Sequence, residues 1–220
     1  MPVWTEAYQT LMMLHGSRLS HWLAPWEPTL LLVLLLALAY LILVEDWRLA
    51  LLAWAIVGLM VGGLLVALLP VPWALSRTVA AGLDGALLWI GARRWPHPRR
   101  GRYQGCWLRG SATLVLALAA FQLRAYVHQF WLEPVQADAV LALLLAALLL
   151  LALHGTPFHG TLGLLLLLHA GTIVLAPLLM PRTWLYLLTL LDLALATAGS
   201  MAVASEGLWV RKRALGKEQP

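Results

Sequence analysis

Uninterrupted apolar blocks, each close to the length that crosses a bilayer, constrain this chain more than any other feature. Residues Ala139–Leu153 contain no polar side chain, and leucine-rich runs of the same kind recur from Thr29 to Ala204. About 20 predominantly apolar residues span a hydrocarbon core of about 30 Å. A water-soluble core of this length has no place to hide so many continuous runs. Composition agrees: 62% of residues are hydrophobic and 11% charged, where a soluble domain carries about 25% charged residues. The expected fold is all-α, an integral membrane bundle of about seven transmembrane helices.

The spans expected are Thr29–Val44, Leu49–Leu69, Trp73–Ala92, Gly110–Leu132, Ala137–Leu153, Thr161–Met180 and Trp184–Ala204. Residues 1–28 form an N-terminal arm, 29–205 the bundle and 206–220 a basic tail. The arm mixes Trp4, Tyr8, Leu11, Met12, Met13, Leu14 and Trp22 with polar residues. It lacks the ordered basic, apolar and small-residue regions of a cleavable signal peptide, and reads as an interfacial helix or partner-binding arm. Pro177 is expected to kink the sixth span. Trp22, Trp26, Trp73, Trp107, Trp131, Trp184 and Trp209 fall near block ends, where amphipathic rings anchor at the interface.

Basic residues set the orientation. Arg93, Arg94, Arg99, Arg100, Arg102 and Arg109 cluster after span three, and Arg211, Lys212, Arg213 and Lys217 follow span seven. Both clusters are expected in the cytoplasm and the N-terminus outside. The net charge of +5 is accounted for by these short loops, so nucleic acid is not expected as a partner. Cys106 is the single cysteine, which excludes a disulfide framework and a cysteine metal cluster. The pairs Gly58/Gly62 and Ala196/Ser200 have the small-residue spacing that lets helices approach closely in lipid.

Ionisable groups inside a span cost about 2.5–3.5 kcal/mol on insertion scales, so each needs a reason. Span three holds Arg77 and Asp84, span four Arg124 and His128, span six His169 and span seven Asp192. At about 1.5 Å per residue, Asp84, His169 and Asp192 reach similar depths near mid-membrane, with Arg77 and Arg124 nearer the outside. One reading makes Asp84, His169 and Asp192 a proton or ion pathway, supported by the charges of Arg77, Arg124 and His128. The other is structural: Asp84 pairs with Arg77 or Arg124, His169 hydrogen-bonds Asp192, and Arg124 with His128 reaches the outer headgroups. His154 and His159 flank the turn between spans five and six, but two histidines do not make a metal site. No GxSxG, HExxH, P-loop or dinucleotide fingerprint occurs. Neither a catalytic group, a cofactor nor a metal is expected.

The order of these features resembles component E of hydrogenase-4 type membrane complexes, whose C-terminal part is similar to the small K subunit of respiratory complex I. The resemblance covers about Leu31 to Arg213. It rests on Arg48-Leu49 opening span two, Asp84 as the charge of span three, His169-Ala170-Gly171 where the family has Glu-Asn-Gly, and Asp192 on the aspartate of the last helix. No glutamate lies within a span, so His169 stands in place of the family's membrane glutamate. The resemblance implies a non-catalytic inner-membrane subunit of an energy-converting complex. Such a subunit braces antiporter-like subunits and supports proton or ion translocation. A stand-alone channel or small transporter, with the same residues lining its pathway, is the alternative. An enzyme acting on lipid is a third possibility, without a catalytic constellation to support it.

Overall fold

The computed structural model describes residues 24–93, 104–127, 133–176 and 182–216. Among these the chain is all helical, without a strand. After a short 3-10 turn, Ala24–Trp26, seven α-helices follow: α1 Glu27–Leu43, α2 Trp47–Leu68, α3 Val71–Ala92, α4 Gln104–Val127, α5 Pro134–Leu153, α6 Pro157–Leu175 and α7 Arg182–Gly216. Four segments are long and apolar enough to cross a membrane: α2, α5, α6 and Tyr186–Leu208 of α7. Helix α1 is apolar but has only 17 residues.

Prolines punctuate the boundaries. Pro28, Pro72, Pro134 and Pro157 sit in the first turns of α1, α3, α5 and α6, where a missing N–H costs nothing. The residue before a proline is pushed out of the helical region. Leu69, Glu133 and Thr156 accordingly adopt extended backbone before Pro70, Pro134 and Pro157. Helix α2 starts differently: the Asp46 carboxylate accepts the Arg48 backbone N–H at 2.9 Å, a side-chain N-cap.

Six helices pack in a closed ring, in the order α1, α2, α3, α7, α6, α5 and back to α1, and α2 also touches α6 across the middle. Helix α4 stands outside the ring against α5 and α1. Small residues bring the ring together. A Cβ on Gly58 would lie 2.8 Å from the Ala81 Cβ, and one on Gly62 would overlap Thr78, so the expected GxxxG faces α3. A Cβ on Gly91 would lie 2.6 Å from the Ser200 carbonyl oxygen, and Ala196 is fully buried. The second small-residue pair therefore lies on the face of α7 turned to α3.

The outer faces are apolar. Leu52, Leu59, Val79, Ile90, Leu118, Phe121, Leu190 and Met201 are exposed, which suits a bundle solvated by hydrocarbon. Trp26, Trp107 and Trp184, all near helix ends, are exposed as well.

Three boundaries differ from expectation. Helix α4 begins at Gln104, six residues before the expected Gly110. The basic tail does not leave the bundle at Ala204 but continues as α7 to Gly216: no proline interrupts the segment between Met201 and Leu215, and its single glycine, Gly207, is carried within the helix. Glu27 and Pro28, assigned to the arm, open α1. The rest of the arm, residues 1–23, and the expected kink at Pro177 lie outside the described residues.

Candidate functional site: a buried polar cluster

The ring closes on polar side chains contributed by four helices. Arg77 on α3 and Asp192 on α7 form an ion pair at 2.5 Å, 4% and 0% exposed. Arg77 also donates to Thr172 Oγ1 on α6 at 2.9 Å and to Thr189 Oγ1 on α7 at 3.2 Å. A guanidinium presents five N–H donors in a planar fork, so one arginine can tie α3 to both α6 and α7. The guanidinium also donates to the Asp192 carboxylate within this close ion pair.

Asp84 lies two helical turns along α3 from Arg77. It is 0% exposed, and neither carboxyl oxygen has a hydrogen-bond partner among the described residues. Its carboxyl feels the charges of both Asp192 and Arg77. A buried carboxylate without a partner is costly in low dielectric, so this position needs a reason beyond helix packing.

His169 on α6 is buried at the α2–α6 contact. Its ring lies 5.1 Å from that of Trp54 on α2, tilted by 57°. Trp54 is itself fixed, since its Nε1 donates to the Ala81 carbonyl of α3 at 2.9 Å. Gly85, next to Asp84, leaves the space this indole occupies: a Cβ there would stand 3.2 Å from Trp54 Cδ1. The tryptophan thus links the histidine on α6 to the segment of α3 that carries Asp84.

The pairing differs from expectation in three respects. Asp192 pairs with Arg77 rather than His169, because α7 packs closely along α3 and turns Asp192 to that helix. Asp84 pairs with neither Arg77 nor Arg124, since Asp192 takes the arginine. Arg124 belongs to α4, outside the ring, where it pairs with Asp138 of α5 at 2.9 Å; it does not join Asp84, His169 and Asp192. His128 lies outside the described residues. Thr172, Thr189 and Trp54 are additional members of the cluster.

A second polar group sits where α5 turns into α6. The rings of His154 and His159 stack at 4.1 Å with planes 20° apart. Thr156 Oγ1 and His159 Nδ1 share a hydrogen bond of 2.8 Å. Nearby, Arg109 of α4 forms an ion pair with Glu45 at 2.8 Å. Burial, then the neighbouring His159, then Arg109 push the pKa of His154 down to about 3. Among the described residues no three His, Cys, Asp or Glu side chains gather as a metal ion requires. No family model, curated protein or solved structure matches the chain.

Proposed function

We propose that this chain is a non-catalytic, multi-pass subunit of a complex I-like or group 4 hydrogenase-like assembly in the inner membrane, and that it supports proton or ion translocation. All seven helices cross the bilayer in this reading, with the N-terminus outside and the C-terminus in the cytoplasm. The observation that carries it is Asp84, an acid fully buried without a hydrogen-bond partner among the described residues, beside the Arg77–Asp192 pair. A group meant only to hold helices together has its polar atoms satisfied. One that must gain and release a proton or a cation cannot be locked into permanent bonds. The two threonines and Asp192 hold Arg77 in place, so its charge can answer a change of charge on Asp84.

The cluster has no nucleophile with an adjacent base, which favours a supporting subunit over an enzyme. Larger antiporter-like subunits are the partners this reading requires, with their contacts on the exposed apolar faces and the N-terminal arm. A stand-alone channel or small transporter is the second reading, favoured by the closure of six helices around the polar centre. Purification of the tagged chain in mild detergent from its own membrane separates the two. Co-purifying antiporter-like and iron–sulfur subunits support the first; a homo-oligomer alone supports the second.

A further inference from the structure

We infer that the groove between α1, α4 and α5 seats one phospholipid whose head carries both a phosphate and a primary ammonium. The inference rests on the chain crossing a bilayer and is independent of what it assembles with. The groove has a volume of about 480 Å³, in the range of about 300–1,000 Å³ typical of ligand sites. Small side chains create it: Ala117 and Ala120 on α4 face Ala142 and Ala146 on α5.

Its length matches one leaflet. The lining runs from Leu31 to Ile42 on α1, from Thr113 to Arg124 on α4 and from Asp138 to Leu149 on α5. Each stretch is eleven residue steps, about 16 Å at about 1.5 Å per residue. Half of a hydrocarbon core of about 30 Å is about 15 Å. Spread over that length, 480 Å³ leaves a cross-section of about 30 Å². A helix with side chains is about 10 Å across, so the groove is too narrow for a partner's helix and suits a hydrocarbon chain.

Charge lies at one end only. Leu31, Arg124 and Asp138 meet there, while the remainder of the wall is apolar apart from Thr113. Arg124 is half exposed and ion-paired with Asp138 at 2.9 Å, which presents a cation and an anion side by side. A guanidinium suits a phosphate, and a carboxylate suits an ammonium. A head with both charges matches this pair. A purely anionic head meets Asp138 as a like charge, and a trimethylated head offers it no N–H to bond.

The experiment uses the full chain in vesicles of phosphatidylcholine and phosphatidylglycerol, doped with phosphatidylethanolamine bearing a photoreactive acyl chain. The labelled peptides are then mapped. Labelling is expected on the groove faces of α1, α4 and α5 in excess of the exposed faces of α3 and α7. Arg124→Gln should reduce groove labelling about fivefold, the factor equal to about 1 kcal/mol for a basic residue at a lipid surface. Ala117→Trp fills the groove from an exposed position and should reduce labelling at least as much while the chain still floats with the vesicles. Three results overturn the inference: even labelling on all apolar faces, equal groove labelling by photoreactive phosphatidylcholine or phosphatidylglycerol, or retained labelling in Ala117→Trp. A chain that does not float with vesicles contradicts the membrane reading itself.

Discussion

Arg77 and Asp192, more than a hundred residues apart in sequence, meet inside the helix ring at 2.5 Å. Removing one partner of a buried pair strands the other and costs about 3–5 kcal/mol, whereas replacing both with apolar groups is often nearly neutral. Arg77→Met and Asp192→Leu should each lower the thermal stability of the detergent-purified chain. The double variant should recover most of the loss. Additive losses in this four-protein comparison would mean that the two side chains act separately.

The close approach of α3 and α7 predicts a steric asymmetry between two glycines on one helix. A Cβ at Gly91 meets the backbone of Ser200, while one at Gly82 meets nothing within 4 Å. Gly91→Ala should destabilise by about 1–3 kcal/mol, the usual range for overpacking. Gly82→Ala should be neutral or slightly stabilising, because alanine is the better helix former. Thermal unfolding of both variants checks this; equal behaviour would contradict the packing.

Much of this arrangement was legible in the sequence, because hydrocarbon tolerates few residue types. The apolar blocks located the helices, and the rarity of charge within them singled out Arg77, Asp84, His169 and Asp192. Pairing was not legible. His169 was expected to hydrogen-bond Asp192, but the rotation of α7 decides which neighbour receives the aspartate. Arg124 occupies a depth like that of Arg77 in one dimension, yet α4 lies outside the ring and turns it to Asp138. Thr172 and Thr189 carry no charge and so gave no signal. Trp54 did give one, since it lies well inside a span rather than at its end.

Stability should fall with acid through His154. Its folded-state pKa lies near 3, below the ordinary histidine value of 6.5, because burial disfavours the charged ring. The unfolded chain therefore binds the extra proton between about pH 6.5 and 3, and stability is lost as pH drops through that window. His154→Phe keeps an aromatic ring against His159 and removes this titration. The drop in melting temperature between pH 7.5 and 5 should be smaller in the variant than in the wild type. An equal drop would assign the acid sensitivity elsewhere.

Orientation is tested by labelling single cysteines at Gln104 and Gly216, with Cys106 replaced by serine. Both positions should be shielded from an impermeant thiol reagent added outside intact cells, and should react once the membrane is opened. Ready labelling from outside at either position would reverse the topology.

The central claim is that Asp84 exchanges a proton or ion within the ring while Arg77 and Asp192 hold the ring together. Asp84→Asn preserves shape and leaves the Arg77–Asp192 pair untouched, but cannot ionise. The most direct measurement is proton movement per electron transferred, in vesicles that contain the assembled complex with Asp84→Asn and unchanged subunit content. The account predicts a clear reduction relative to wild type. Full proton movement in the intact variant complex would contradict it and leave Asp84 a structural residue.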